Sequence, residues 1–160
     1  MYRLLLFFFM QVSLVSWSQT ATPKSLPAFR ILQPNGTFFT SENLTKGKPT
    51  VIIYFAPDCD HCQTLMNAYF KRVTDFNKAQ VVMVTFKPVQ ELTPFINHYN
   101  VAKYPNITVG TEGTTFYLRY YYNIANTPFV ALYDRSGQLV YAYRKIDSVD
   151  DLISRLKAIR

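Results

Sequence analysis

Lys48-Pro49-Thr50-Val51-Ile52-Ile53-Tyr54-Phe55-Ala56-Pro57-Asp58-Cys59-Asp60-His61-Cys62 carries both cysteines of the chain. Thr50 to Phe55 is a continuous apolar run rich in β-branched residues. Such a run reads as a strand buried on both faces, the central strand of a covered sheet. Pro57 closes it. From Cys59 a helix is expected to run to about Asn77, because Cys62, Met66, Tyr69, Val73 and Phe76 recur along one helical face. C-x-x-C in the first turn of a helix that follows a buried strand is an arrangement for redox chemistry. A thiolate at a helix N-terminus meets unpaired N–H groups and the positive end of the helix dipole. Both lower its pKa and make it a nucleophile. Cys59 is therefore the expected nucleophile and Cys62, one turn along, the expected resolving thiol.

Other readings of the pair are open. A structural disulfide here would close a loop of only a few residues and contribute little. A structural zinc site needs four ligands, and there is no second cysteine pair. Two thiolates can hold copper(I). A redox-inactive binding module or a copper(I) metallochaperone is thus the alternative to an enzyme. Met66 and Met83 stand alone and read as core. No metal site and no cofactor are expected.

Outward from this stretch, turn signals divide the chain. Phe29 to Gln33 and a strand starting at Phe38-Phe39 flank Pro34-Asn35-Gly36-Thr37, a hairpin turn. Gln80 to Phe86 is another buried strand, ended by Pro88. A helix is expected within 88–99, with Leu92, Phe95, Ile96 and Tyr99 on its apolar face. Residues 100–113 read as irregular, with a short strand at Ile107 to Val109. Thr114 to Ile124 is read as a helix, although Tyr120-Tyr121-Tyr122 also suits a strand. Phe129 to Tyr133 and Gln138 to Arg144 flank the turn Asp134-Arg135-Ser136-Gly137. Ser148 caps the last helix, with Asp151 at capping-box distance. Strands alternating with helices, then a hairpin and a helix, predict an α/β fold with a mixed central sheet covered on both faces.

The N-terminus bears on compartment. Arg3, the apolar stretch Leu4 to Val15 and the small residues Ser16 and Ser18 form the layout of a secretory signal. The apolar run is short of the ~20 residues a spanning helix needs. The expected organisation is a signal peptide at 1–18, a short leader at 19–27 and one domain at 28–160, with no stable membrane anchor after cleavage. The chain is basic, with a formal net charge of +7, but its lysines and arginines are scattered and form no run. That pattern reads as solvated faces rather than a nucleic-acid site. His98, with Asn97 and Asn100 beside it, reads as a surface residue.

The Lys48–Cys62 stretch resembles the active-site segment of TlpA/ResA-type redoxins of bacterial envelopes, within the thioredoxin superfamily. Residues 29–39 resemble the N-terminal β-hairpin extension of that family. Asn126-Thr127-Pro128-Phe129-Val130-Ala131-Leu132-Tyr133-Asp134-Arg135-Ser136-Gly137-Gln138 resembles its TP-strand-D-x-x-G segment. The resemblance implies a thioredoxin-like fold and a periplasmic thiol–disulfide oxidoreductase. It implies that Thr127-Pro128 is the cis-proline loop facing the disulfide. Its implied partners are the thiols and disulfides of exported proteins, and a second redox protein that resets the cysteine pair. The chain departs from the pattern at two places. Asp58 stands where many members have an aromatic residue, and Ile53 stands where thioredoxins carry a buried acid. Proton removal from Cys62 then needs another route, such as water or Asp58. His61 matches its counterpart in the oxidant DsbA and is expected to make Cys59 more acidic. Asp58 and Asp60 oppose it, so the direction of electron flow stays open.

Overall fold

Strand β3 (Thr50–Tyr54) is buried at all five positions, as a strand covered on both sides must be. The computed structural model describes residues 24–159. The expected signal peptide and the first part of the leader lie outside them. Alternation along β3 sends Val51 and Ile53 to one core and Ile52 and Tyr54 to the other. Parallel to β3 runs β4 (Gln80–Thr85), and parallel to β4 runs β5 (Ile107–Thr111). On the other side β6 (Phe129–Tyr133) and β7 (Leu139–Tyr143) add antiparallel. The hairpin of β1 (Arg30–Leu32) and β2 (Phe38–Thr40) joins beyond β5. The result is a seven-stranded mixed sheet in the order β2-β1-β5-β4-β3-β6-β7.

Helices α1 (Asp60–Lys71), α2 (Leu92–His98) and α4 (Val149–Ala158) bury their apolar faces in the core on the Ile53 side. The short helix α3 (Tyr117–Tyr121) covers the other face with Leu118, joined by Tyr122, Ile124 and Phe29. The expected α/β thioredoxin-like fold, with helices on both faces and an N-terminal hairpin, is the fold observed. Lys24–Leu26, the end of the expected leader, lie against the β6–β7 turn, with Leu139 N donating to Lys24 O at 2.7 Å and Leu26 N to Gly137 O at 3.0 Å.

Several boundaries differ from expectation. The helix expected to Asn77 ends at Lys71, and Val73–Phe76 form a separate 3-10 turn. The expected apolar face survives this break, because Cys62, Met66, Tyr69, Val73 and Phe76 are all buried. The strand expected to end at Val109 continues to Thr111, since pairing with β4 extends through Thr85. Gly110 lets the hairpin close onto it: a Cβ there would meet Ile31 Cδ1 at 2.9 Å and the Leu32 carbonyl at 3.0 Å. The helix expected from Thr114 to Ile124 shrinks to α3, because Phe116 holds a left-handed backbone at φ 47° and cuts it off from the 3-10 turn Gly113–Thr115. At α4 Ser148 does cap, accepting from Asp150 N, but Asp151 does not complete the capping box. Its carboxylate is taken by Arg155 and the Tyr143 hydroxyl.

Candidate active site

The sheet brings two distant segments to one end. β3 leads at its C-terminal end into the turn Ala56–Asp58 and then α1. β6 runs antiparallel to β3, with Phe129 opposite Tyr54, so Thr127 and Pro128 precede it at that same end. The Thr127–Pro128 peptide bond is cis. Cys59 is partly exposed and Cys62 is buried, at 1% exposure.

Cys59 is the N-cap of α1. Its backbone is extended, and its sulfur accepts the Cys62 backbone N–H at 3.4 Å, as a serine or aspartate cap oxygen would. Thr127 faces the same sulfur: its hydroxyl donates to Cys59 Sγ at 3.6 Å, and the Cys59 thiol can donate to the Thr127 carbonyl at 3.7 Å. Burial pushes the Cys59 thiol up, but hydrogen bonds from the Cys62 thiol, from the Thr127 hydroxyl and from the backbone N–H groups of Cys62 and His61 outweigh it. Cys59 lies below the ordinary thiol value. Burial and then the hydrogen bond to Cys59 act the other way on Cys62, which is pushed up to about 12. One helical turn therefore separates an easily ionised thiol from one held neutral.

The remaining residues singled out in the sequence fall around this pair. His61 is exposed, and it is its backbone N–H rather than its imidazole that reaches Cys59. Asp60 is exposed in the first turn, where its carbonyl accepts the Thr64 hydroxyl at 3.0 Å. Asp58 pairs with Lys87 Nζ at 2.6 Å, and this hydrogen bond holds its carboxyl below the usual carboxylate range. So engaged, Asp58 is a poor acceptor for the Cys62 proton. His98 lies apart from Cys59, at the end of α2, in a shallow groove that Cys62 also lines. Lys87 was not singled out by sequence reasoning, because it lies 29 positions from Asp58 and no local pattern links them. A wider groove of about 1020 Å³ runs from His61, Thr127 and Pro128 along α1 toward Ile146 and Val149.

Ile53 is fully buried in the same core as Cys62, which fits the position of the missing acid. Ile53→Asp should lower stability by roughly 2–5 kcal/mol, since a buried carboxyl without partners is costly. It should also add a titration to the pH dependence of mixed-disulfide resolution. Chemical denaturation and single-turnover exchange measured across pH check both. An unchanged profile in a folded variant would place Ile53 too far from Cys62.

The family model of AhpC/TSA matches residues 23–155. No curated protein sequence matches the chain. Among solved structures, Mycobacterium tuberculosis dsbF is similar, at 24% identity and a TM-score of 0.70 over 85% of this chain and 100% of that one. A secreted M. tuberculosis disulfide oxidoreductase homologous to E. coli DsbE is similar at 20% identity and TM-score 0.68, covering 82% and 96%. A thiol-disulfide oxidoreductase from Bacteroides fragilis is similar at 16% and 0.67, covering 83% and 99%. At these identities the three structures speak to the fold, and the family match extends over most of the sequence. This chain, with its Cys59–Cys62 pair at the head of α1, belongs to the AhpC/TSA family of redoxins and shares the thioredoxin-like fold of these structures.

Proposed function

We propose that this redoxin is exported to the cell envelope and exchanges disulfides with other exported proteins through Cys59 and Cys62. The observation that carries this reading is the placement of the two thiols: Cys59 at the N-cap of α1 facing Thr127, and Cys62 buried one turn along. The Cys59 thiolate attacks one sulfur of a substrate disulfide and expels the other as a thiolate, leaving a mixed disulfide. Cys62 then loses its proton and attacks Cys59 Sγ. That step frees the second substrate thiol and leaves a Cys59–Cys62 disulfide, so two electrons have passed to the substrate. A dithiol redox partner returns them; run backward, the same steps oxidise a substrate. Thr127 presents its backbone to an extended substrate segment, and Pro128, lacking an N–H, keeps the loop's own chain from competing for it. No cofactor takes part.

Export rests on the Arg3, Leu4–Val15, Ser16–Ser18 layout. Among the described residues no helix is long and apolar enough to cross a membrane. The organisation proposed is a signal at 1–18, a leader at 19–27 and the redox domain at 28–160.

An insulin-reduction assay with a dithiol donor, paired with the reduction potential of the cysteine couple, tests the activity. Turnover is expected, with a potential between thioredoxin's roughly −270 mV and the roughly −120 mV of DsbA, because a stabilised thiolate favours the reduced form. Background turnover together with tight copper(I) uptake would reverse the reading in favour of a metallochaperone. Mass spectrometry of protein from cells should find an N-terminus near Gln19, and an intact Met1 would remove the case for export.

A further inference from the structure

We propose that Lys87 is a positioning residue of the redox site: it seats Asp58 and cancels that carboxylate's charge beside the Cys59 sulfur. The proposal rests on the reading of Cys59 as nucleophile. Asp58 immediately precedes Cys59, on the turn between β3 and α1. An uncompensated carboxylate there opposes formation of the thiolate. Adjacent residues hold their charges within roughly a Debye length of one another at physiological salt, so ions screen the effect only in part.

Lys87 is held in place to meet it. The residue follows the end of β4, which lies next to β3 in the sheet. Its N–H donates to Thr85 Oγ1 at 3.2 Å, and its carbonyl accepts from Thr111 Oγ1 at 2.7 Å. Both partners sit at the ends of paired strands, Thr85 opposite Thr111. The ammonium lies 5.8 Å from the Phe86 ring centroid and reaches Asp58 Oδ2 at 2.6 Å. The Lys87 side chain is 26% exposed, against 61% for Asp58. An anchored, largely covered lysine thus meets a more exposed carboxylate. Exposed ion pairs of this kind contribute little to stability. Their effect is felt where a neighbouring group titrates, and Cys59 is such a group.

Other charged and titratable groups on this side include Asp60 and His61 on α1, Cys62 one turn along, Arg144 and Lys145 in the groove that His61 and Thr127 line, and Glu91, which acts on Lys87 from the β4–α2 connection. They are common to every variant below, so a double-mutant cycle isolates the Lys87–Asp58 term. Lys87→Met keeps the length of the side chain and leaves Asp58 uncompensated. It should cut the thiolate fraction of Cys59, and its alkylation rate by iodoacetamide, about three-fold at neutral pH. Asp58→Asn should raise both by a similar factor, because Lys87 is then the unpaired charge. The double variant should return close to the wild-type pH profile, and Lys87→Arg should retain it. Raising the salt to ~1 M should compress all these differences.

The experiment is thiolate absorbance and site-mapped alkylation of the reduced full-length protein across pH. A Lys87→Met profile that overlays the wild type would overturn the proposal. So would a double variant that still behaves like Lys87→Met, since that outcome assigns Lys87 a structural role without Asp58. Site mapping separates a different failure: if Cys62 is alkylated before Cys59 in the wild type, the assignment of the nucleophile is wrong, and the proposal falls with it.

Discussion

Cys59→Ser should reduce disulfide exchange by about 10³-fold or more, the scale on which loss of a covalent nucleophile slows catalysis. A serine hydroxyl at the α1 N-cap can accept the Cys62 N–H as the sulfur does, so the fold should be unaffected. What disappears is the ionised sulfur. Cys62→Ser should instead permit the first attack and stall the second, so that mixed disulfides accumulate on Cys59. Non-reducing electrophoresis after mixing with a disulfide substrate distinguishes the two variants. A Cys59→Ser protein that still turns over, or one that traps substrate on Cys62, would reverse the roles.

The same pair sets the pH dependence. Cys59 sits below the ordinary thiol value of ~8.5, so the attack rate should rise with pH and level off before a free thiol would. Linkage to stability has opposite signs at the two positions. The folded, reduced protein holds fewer protons at Cys59 than the unfolded chain does. That contribution is present above the unfolded thiol value and is lost as pH falls through the folded Cys59 value. At Cys62, pushed up to about 12, the folded state holds more protons. Its contribution is therefore present below ~8.5 and is lost progressively as pH rises from there toward 12.

A second large effect, this one on stability, is expected at Glu112. Its carboxylate is buried, at 6% exposure, where β5 gives way to the loop before α3. One oxygen accepts the Tyr54 hydroxyl at 2.6 Å, and the other accepts Leu118 N at 2.7 Å. The carboxylate thereby ties the end of the central strand to the first turn of α3. Glu112→Ala leaves a buried hydroxyl and a buried amide without an acceptor, at a cost of about 3 kcal/mol. For a chain of this length that corresponds to a fall in Tm of roughly 6–12 °C. Glu112→Gln should cost less: it keeps one acceptor for Tyr54 but points an amide donor at the Leu118 N–H. Thermal unfolding of the reduced proteins checks the order wild type, Gln, Ala. A Glu112→Ala protein melting with the wild type would mean that water replaces the lost acceptor.

Glu112 also marks where sequence reading stops. It stands alone between Thr111 and Gly113, in a stretch read as irregular, and nothing local distinguishes it from a solvent-facing acid. Its partner Tyr54 is 58 positions away. Lys87 is similar: among scattered basic residues it looked like one more solvated charge, until the pairing of β3 with β4 set it beside Asp58. His61 illustrates the converse. Its type and position suggested a role for the imidazole, whereas the group delivered to Cys59 is the backbone N–H, which any residue there would supply.

By itself the sequence determined the parts governed by short-range physics. The burial of Thr50–Tyr54 follows from an apolar run with no polar face. The start of α1 follows from Pro57 and the Cys59–Cys62 spacing, and the two hairpins follow from their turn residues. These depend on neighbours a few bonds away, whose geometry the backbone restricts to a small set. Tertiary structure alone decided the partners that lie far along the chain. It set Thr127 against Cys59, Lys87 against Asp58, Glu112 against Tyr54 and β1 beside β5, and it cut the helix before Phe116. Each such contact requires closing a loop of tens of residues. Its entropic cost is met by the whole sheet rather than by the pair, so no local pattern at either end announces it.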